Sequence, residues 1–421
     1  MSARTSDSKS PSLYGFQKQA VSDLNGGKHI CVLPTGAGKT AVMFKWLREQ
    51  KRKNVVIVTT ATKAKSGDME READLWNGPA WRASLDSFTI ISWHGLKKWC
   101  MQHPSERALG YMGYVFAFDE IQKSKGYSTG MGKFFQKIVK SCPYWTGYTA
   151  TPGDKWIDFM PYFVATKKSV NKTAWLAKYA IVQRYKGYPE ITRYLNQNEL
   201  ERIWRDEIAT IPDAEQMFRE LPPETHHVEH FKAPSDYRRI INTRISREGE
   251  LIDTAMGLCH YLRQICFTQE KQDWLADYIE TLGANCVFFC NYIEEEDVVC
   301  EIAERVLPKG ARIWRIDGKH HEIPTADTIG KYDIVVAHYA SGGEALNLQF
   351  INYWVSISPN YSYSSSVQAR GRIKRIGQKK PMFFTYLKTD GTIEDAIYRT
   401  LAAKQDFSEK TWLADNGIED L

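Results

Sequence analysis

The amino-acid sequence predicts an α/β fold that contains two parallel sheets. Two series of short apolar runs recur at helix-sized intervals, one within residues 29–149 and the other within residues 286–387. Continuous apolar runs of this kind are typical of parallel strands that helices cover on both faces. Residues 154–255 carry long amphipathic and mixed-charge stretches instead, for which we predict a helical connector without parallel strands.

Each series supplies five strands, and the intervals between them are long enough for helices. The first five predicted strands are residues 29–33, 55–60, 88–92, 114–118 and 144–149. The second five are residues 286–290, 312–316, 333–337, 353–357 and 382–387. An amphipathic helix over residues 274–283, closed by Gly283, precedes the second series.

The length of 421 residues exceeds what one ordinary core fills, so we expect more than one domain. We predict five segments along the chain. They are a disordered tail at 1–11, an N-terminal lobe at 12–158, a mostly helical connector at 159–255, a C-terminal lobe at 256–395 and a helical tail at 396–421.

The composition predicts a soluble globular protein, since 43% of the residues are hydrophobic and 25% are charged. The polar N-terminus has no apolar signal region, and no uncharged apolar stretch is long enough to span a membrane. We therefore expect a cytoplasmic location without membrane attachment. The eight cysteines form no C-x-x-C pair, which favours buried thiols in a reducing compartment over a zinc site. The net charge of +6 permits a polyanionic partner without demonstrating one.

A glycine turn joins the first predicted strand to a helix-length apolar segment. Gly36 and Gly38 allow a tight turn whose N–H groups bind an anion at the N-terminus of the helix. Lys39 would reach the β and γ phosphates of a nucleotide, and the Thr40 hydroxyl would hold Mg²⁺. Leu33 stands where the general pattern has glycine, so the match is to Gly-x-Gly-Lys-Thr. The predicted phosphate-binding residues are Thr35, Gly36, Ala37, Gly38, Lys39 and Thr40.

The strand at 114–118 runs directly into Asp119 and Glu120. Their position predicts two carboxylates at the carboxyl edge of the sheet, where α/β folds bind ligands. Asp119 could hold Mg²⁺ and Glu120 could polarise the attacking water. Without the phosphate loop upstream, a solvated acidic turn would explain this pair equally well. Gln17, about 20 residues ahead of the loop, could read an adenine edge, although by itself it is more simply a surface glutamine.

A basic segment in the second half of the chain carries Arg372 and Arg375. On a helix these arginines share one face, because they are three residues apart. If they faced the phosphate loop across a cleft, they would stabilise the negative charge that develops on the γ-phosphate. Such stabilisation can increase the rate of hydrolysis by about 10³ to 10⁵. A nucleic-acid-binding stretch or a solvated face is the alternative. The histidines at 226 and 230 lie in a segment that favours an extended chain, which places them too far apart to share a metal ion.

Taken together, these segments resemble superfamily-two helicases, and among them the Swi/Snf-type translocases related to chromatin-remodelling ATPases. The resemblance extends from Phe16 to about Lys404 and implies two tandem RecA-like lobes. Its weaker features are residues 219–223 and 262–266. Its main motifs are residues 34–40, 119–120, 146–152, 342–348, 368–378 and 391–394.

The resemblance also implies roles for single residues. It gives ATP and Mg²⁺ as cofactors, with adenine contacted by Gln17, phosphate and Mg²⁺ bound by Lys39 and Thr40, and metal binding and water activation by Asp119 and Glu120. The second lobe would complete the site with Gly343, Gln368, Arg372 and Arg375. The segments that touch the nucleic-acid backbone would contain Thr60, Ser92, Asn291 and Ser341.

Three departures from the family pattern stand out. Ile121-Gln122 occupies the usual place of Ala-His, which could alter the coupling of hydrolysis to DNA contact, and Ala345 replaces a usual glycine. Bromodomains, chromodomains and other histone-recognition modules would not fit within 421 residues. We therefore expect a compact translocase core of the bacterial or bacteriophage kind, monomeric, in the host cytoplasm if the source is viral.

These residues and the resemblance together predict an ATP-driven motor that moves along DNA. The resemblance implies double-stranded DNA in preference, with single-stranded DNA possible. An RNA helicase is an alternative from the same class. A nucleotide-gated nucleic-acid-binding scaffold without turnover is an alternative from another class, which intact Lys39, Glu120, Arg372 and Arg375 disfavour. A small-molecule phosphate-loop kinase would leave the second sheet and its arginines unexplained.

Overall fold

The computed structural model describes residues 11–105, 109–127, 129–153, 155–185, 188–214, 218–320, 322–339 and 346–416. The chain divides into two compact units, Met1–Met217 and Phe218–Leu421. Within the described residues, each unit is built on a six-stranded sheet in which all neighbouring strands are parallel. The predicted fold class, α/β with two tandem parallel-sheet lobes, is confirmed.

The sheet of the first unit contains all five strands that the apolar runs predicted. Its strands are β1 Ile30–Val32, β2 Asn54–Thr59, β3 Ser87–Ser92, β4 Tyr114–Asp119, β5 Trp145–Thr149 and β8 Ala209–Thr210. They lie in the order β3-β2-β4-β5-β1-β8. A separate antiparallel hairpin consists of β6 Ala180–Tyr185 and β7 Tyr188–Tyr194.

Helices cover this sheet because β2, β4 and β5 are apolar on both faces and almost fully buried, whereas the edge strand β3 is half-buried. The helices are α1 Gly15–Asn25, α2 Lys39–Glu49, α3 Ala61–Lys65, α4 Asp68–Asn77, α5 Pro79–Ala83, α6 Leu96–Gln102, α7 Gly130–Ser141, α8 Trp156–Ala165, α9 Lys172–Tyr179 and α10 Gln197–Ile203. Ile121–Ser124 forms a short 3-10 helix and Trp204–Ile208 a π-helical turn.

The sheet of the second unit contains the other five predicted strands and one more. Its strands are β9 Glu224–Phe231, β10 Cys286–Cys290, β11 Ile313–Ile316, β12 Ile334–His338, β13 Tyr353–Ser356 and β14 Met382–Thr389, in the order β11-β12-β10-β13-β14-β9. Its helices are α11 Tyr237–Thr243, α12 Ala255–Gln264, α13 Gln269–Leu282, α14 Ile293–Val306, α15 Tyr363–Arg370, α16 Ile393–Ala402 and α17 Glu409–Asp415.

The prediction of a connector without parallel strands is wrong at two places. β8 pairs with β1 in the first sheet, and β9 pairs with β14 over its whole length in the second. β9 has no apolar run because it is an edge strand whose side chains are mostly exposed. The main-chain pairing with β14 holds this strand in the sheet, and that pairing does not require apolar side chains. The extended conformation predicted for the histidine segment is confirmed, since His226 and His230 both lie in β9. The domain boundaries themselves remain predictions.

The cysteines lie mainly inside the two cores. Seven of the eight are buried and Cys300 is half-buried, as the apolar runs around them predicted. None of the helices in the described part of the chain combines the length and the apolar character that a membrane crossing requires.

Candidate functional site

The predicted phosphate loop lies between the end of β1 and the start of α2. Gly36 and Gly38 have φ angles of 83° and 76°, a left-handed backbone that glycine adopts without strain. Gly38 is also the N-cap of α2. The hydroxyl of Thr35 is buried and has no hydrogen-bond partner among the described residues. A turn of glycines at a helix N-terminus, with an unpaired buried hydroxyl beside it, fits a bound triphosphate.

Lys39 folds back over this loop. Its Nζ donates hydrogen bonds to the carbonyl oxygens of Leu33 and Pro34 at 3.1 and 3.3 Å. Burial lowers the pKa of the Lys39 ammonium, and the negative charges of Glu120 and Asp119 oppose this shift. Lys39 is therefore close enough to Glu120 and Asp119 for their charges to affect its pKa, as expected if all three residues bind one nucleotide–metal complex.

Asp119 ends β4, at the carboxyl edge of the sheet, as predicted. Its Oδ2 accepts hydrogen bonds from Thr59 Oγ1 and Lys63 Nζ, both at 2.8 Å. Burial raises the pKa of the Asp119 carboxyl, but the charge and hydrogen bond of Lys63 and the hydroxyl of Thr59 outweigh it, and the pKa is lowered. Asp119 is therefore held as a buried carboxylate, the ligand type that Mg²⁺ prefers.

Glu120 is buried in a conformation that residues other than glycine adopt only under constraint. Its φ and ψ angles are both 51°, in the left-handed region. Its Oε2 accepts a hydrogen bond of 2.6 Å from Gln122 Nε2. Trp93 Nε1 donates to the main-chain oxygen of Asp119 at 2.8 Å, so the turn is fixed on its other side as well. Strain held in this way is common at functional sites.

Gln17 is only 1% exposed, which excludes the alternative of a surface glutamine. Its Nε2 donates to the carbonyl oxygen of Ala37 at 2.9 Å, and its Oε1 accepts from the N–H of Tyr14 at 3.0 Å. The side chain thus ties α1 to the phosphate loop. A contact of Gln17 with adenine remains a prediction.

The two arginines lie beyond a helix rather than on it. α15 ends at Arg370 with Gly371 as its C-cap, and Ile373 beyond it is packed into the core. The prediction that a helical face presents Arg372 and Arg375 is therefore wrong. The side chains nevertheless converge, since an Nη1 of each donates to the carbonyl oxygen of Leu346, at 3.4 and 3.3 Å.

Two predicted residues adjoin these arginines in the sequence. Gln368 is buried in the last turn of α15. Gly343, predicted to contact nucleotide, lies outside the described residues, as do Ser341 and Ala345.

Two of the predicted nucleic-acid contacts lie at the carboxyl edge of the first sheet. Thr60 follows β2 directly, and Ser92 ends the neighbouring β3, where it is paired with Thr59. Asn291 follows β10, and its amide is used within the second unit. Its Nδ2 donates to the oxygens of Ser358 at 2.8 and 3.0 Å, and its Oδ1 accepts from Asn360 at 2.8 Å.

Sequence reasoning missed the contact of Lys63 with Asp119 and that of Gln122 with Glu120. A lysine four residues past a strand carries no local signal of its partner. Gln122 was noted only as a departure from a family pattern. The first unit thus combines a glycine loop, a lysine and a buried acidic pair at the carboxyl edge of a parallel sheet, an arrangement typical of phosphate-loop nucleotide-binding proteins.

No protein-family model matches the chain. Among curated proteins it is similar to the TATA-binding protein-associated factor mot1 of Aspergillus fumigatus, with 29% identity over 118 residues, or 26% of this chain and 6% of that protein. It is also similar to the DNA repair protein RAD5 of Cryptococcus neoformans, with 30% identity over 112 residues, or 25% of this chain and 9% of that protein. The matched segments thus span less than a tenth of these relatives.

A solved structure, the Sulfolobus solfataricus SWI2/SNF2 ATPase core in complex with dsDNA, can be superposed on this chain. The alignment covers 94% of this chain and 91% of the chain in that structure. The identity is 15% and the TM-score 0.43. Each of the two sequence matches to curated proteins covers about a quarter of this chain.

Proposed function

We propose that the chain is a DNA-stimulated ATPase that couples ATP hydrolysis to movement along DNA, with duplex DNA preferred. The main observation in support is the cluster of Lys39, Asp119 and Glu120 at one sheet edge, beside the glycine turn. Two arginines that converge in the second unit and the chain order of the Swi/Snf-type motifs add to it. The similarity to a DNA repair protein favours DNA as the track.

The residues divide the chemistry among them. Lys39 and the loop N–H groups would bind the phosphates, and Glu120 would orient and polarise the attacking water. Oxygen donors from Thr40 and Asp119 fit Mg²⁺, which when bound would neutralise charge on the β and γ phosphates. Arg372 and Arg375 would stabilise the charge that develops during hydrolysis.

Movement would follow from a change in the preferred arrangement of the two units. Contacts to the γ-phosphate favour one arrangement, and their loss on hydrolysis favours another. If the two arrangements bind phosphates of the DNA backbone at different spacings, each cycle of hydrolysis moves the protein along the DNA. Such binding would show little sequence preference and a strong dependence on salt.

The decisive experiment is a steady-state ATPase assay of the full chain without polymer and with duplex DNA, single-stranded DNA or RNA, at low and moderate salt. We expect the largest stimulation with duplex DNA. Stimulation by RNA alone would instead identify an RNA helicase, and no stimulation by any nucleic acid would reject the motor. Triplex displacement beside strand displacement would then separate translocation from unwinding.

A further inference from the structure

The second unit contains a cavity of about 550 Å³ that is separate from the candidate ATP site. Residues of β9, β13, β14, α15 and α16 line it. All the described lining residues belong to the second unit, and none of them is among the residues predicted to bind ATP or DNA. Sites for small molecules typically measure about 300 to 1,000 Å³, so the volume suits a small organic ligand.

One wall of the cavity is aromatic. The ring of His226 stacks on the rings of Phe384 and Tyr386, with centroids 4.9 and 5.9 Å apart and planes inclined by 11° in both pairs. The indole of Trp354 lies 5.5 Å from the Tyr386 ring. Of these four residues, His226, Tyr386 and Trp354 line the cavity. Aromatic surfaces of this kind attract another flat ring.

Arg370 supplies a positive charge beside this wall. It is half-buried at the end of α15, and its Nη1 donates to the Tyr386 hydroxyl at 3.5 Å. Burial raises the pKa of that hydroxyl and outweighs the opposing charge of Arg370, so Tyr386 is neutral at physiological pH. None of the carboxylates in the described part of the chain forms an ion pair with Arg370. An anion in the cavity would therefore relieve the cost of a half-buried charge.

The other charged groups indicate which anion fits. Lys388 also lines the cavity, but Asp390 and Asp395 already pair with it at 2.9 and 2.8 Å. Arg399 is exposed, so water solvates it. Arg370 alone suits a singly charged carboxylate, which a guanidinium binds through two parallel hydrogen bonds. A doubly charged phosphate would need a second cation.

We propose that this cavity is a binding site for a small aromatic carboxylic acid. Its carboxylate pairs with Arg370, and its ring packs against His226, Tyr386 and Trp354. Because the site lies within the second unit and uses none of the predicted ATP or DNA residues, it is independent of the proposed function.

The site can be tested by ligand-observed NMR of the full chain with benzoate, naphthoate and indoleacetate, each beside its carboxamide. We expect at least one of the three acids to bind, with a dissociation constant between about 10 μM and 1 mM, which is ordinary for ligands of this size. Its carboxamide has the same shape without the charge, so it should bind about ten- to hundredfold more weakly.

Variants of Arg370 locate the binding. Arg370→Met keeps most of the volume and should weaken binding of the acid about ten- to hundredfold, with little effect on the carboxamide. Arg370→Lys keeps the charge but not the paired hydrogen bonds, so its affinity should lie between those of Arg370→Met and wild type. Arg305→Ala, at an exposed position of the same unit, should bind like wild type. Circular dichroism and thermal melting show whether each variant is folded.

Three results would overturn the proposal. Failure of all three acids to bind at millimolar concentration would reject the site. Equal affinity for an acid and its carboxamide would reject recognition of the carboxylate. Undiminished binding of the acid by folded Arg370→Met and Arg370→Lys would place the ligand elsewhere.

Discussion

At the scale of single residues, two adjacent carboxylates are held in different environments. Asp119 is fixed as an anion by Lys63 and Thr59, whereas Glu120 sits on a left-handed backbone and accepts from Gln122. Neighbouring acids with different partners can take different roles in one reaction. This difference is consistent with metal binding by Asp119 and water activation by Glu120.

Replacing Glu120 by glutamine should separate binding from hydrolysis. We expect kcat for ATP to fall by about 10² to 10⁴, because the general base is lost while the shape of the site is kept. ATP binding, measured by calorimetry, should change little. Asp86→Asn, which removes an exposed carboxylate of the same unit, should hydrolyse ATP at the wild-type rate. Hydrolysis by Glu120→Gln at the wild-type rate would show that Glu120 does not activate the attacking water.

Glu296 makes stability depend on pH. It is fully buried in α14, and burial raises its pKa from 4.5 to about 7, although the charge of Arg315 acts in the opposite direction. Between these values the folded state binds more protons than the unfolded state, so this residue costs stability as pH rises from about 4.5 through 7.

Glu296→Gln should therefore stabilise the protein at pH 8, by about 1 to 3 kcal/mol, and have little effect at pH 5. Thermal or urea unfolding at both pH values would measure this difference. Glu294→Gln, at an exposed position of the same helix, should show no such pH dependence. An equal effect of Glu296→Gln at both pH values would contradict the shifted pKa.

At the scale of elements, a buried ion pair joins three parts of the second unit. Lys271 of α13 donates to both oxygens of Glu394 in α16, at 3.1 and 2.9 Å, and the two side chains are 0% and 1% exposed. Glu394 Oε2 also accepts from the N–H of Thr389, at the end of β14. The pair therefore fixes how α13 and α16 pack beside this strand.

Lys271→Ala should destabilise the protein by about 3 to 5 kcal/mol, because it leaves the Glu394 carboxylate buried without its cation. The double variant Lys271→Met with Glu394→Leu should cost much less, since it removes both charges and keeps the volume. Urea unfolding of the three proteins measures both effects. Lys309→Ala, at an exposed position of the same unit, should have little effect. A double variant as unstable as the single one would show that packing, not charge, dominates.

The elements also show which signals a sequence carries. The ten apolar strands were predicted because burial on both faces requires apolar residues throughout. β9 was missed because an edge strand needs only its main chain to pair with β14, and its side chains remain exposed. The turn after α15 was missed although Gly371, the C-cap of that helix, is a local signal for a helix end.

At the scale of the whole molecule, the residues proposed to carry out the chemistry are divided between the two units. Lys39, Asp119 and Glu120 belong to the first, and Arg372 and Arg375 to the second. A reaction that needs both sets depends on how the two units cooperate, and we propose that contacts with the γ-phosphate control that cooperation.

Arg375→Ala should lower DNA-stimulated kcat by about 10³, since an arginine at developing phosphate charge contributes on that order. ATP binding should be much less affected, because the phosphate loop lies in the first unit. Steady-state ATPase rates and calorimetry together separate the two effects. Arg305→Ala is the matched control, because it removes a positive charge at an exposed position in the second unit and should leave kcat unchanged. A fall in ATP affinity with unchanged kcat would place Arg375 in binding rather than in hydrolysis.

The sequence by itself determined the two parallel sheets, the glycine loop and the acidic pair, because each of these depends on residue types at short spacing. Only the tertiary structure decided that Lys63 holds Asp119, that Gln122 reaches Glu120 and that Gln17 supports the phosphate loop. Lys63 and Gln17 contact residues far away in the sequence, and Gln122 reaches Glu120 through a strained turn. Such contacts follow from how strands and helices pack, which no short stretch of sequence records.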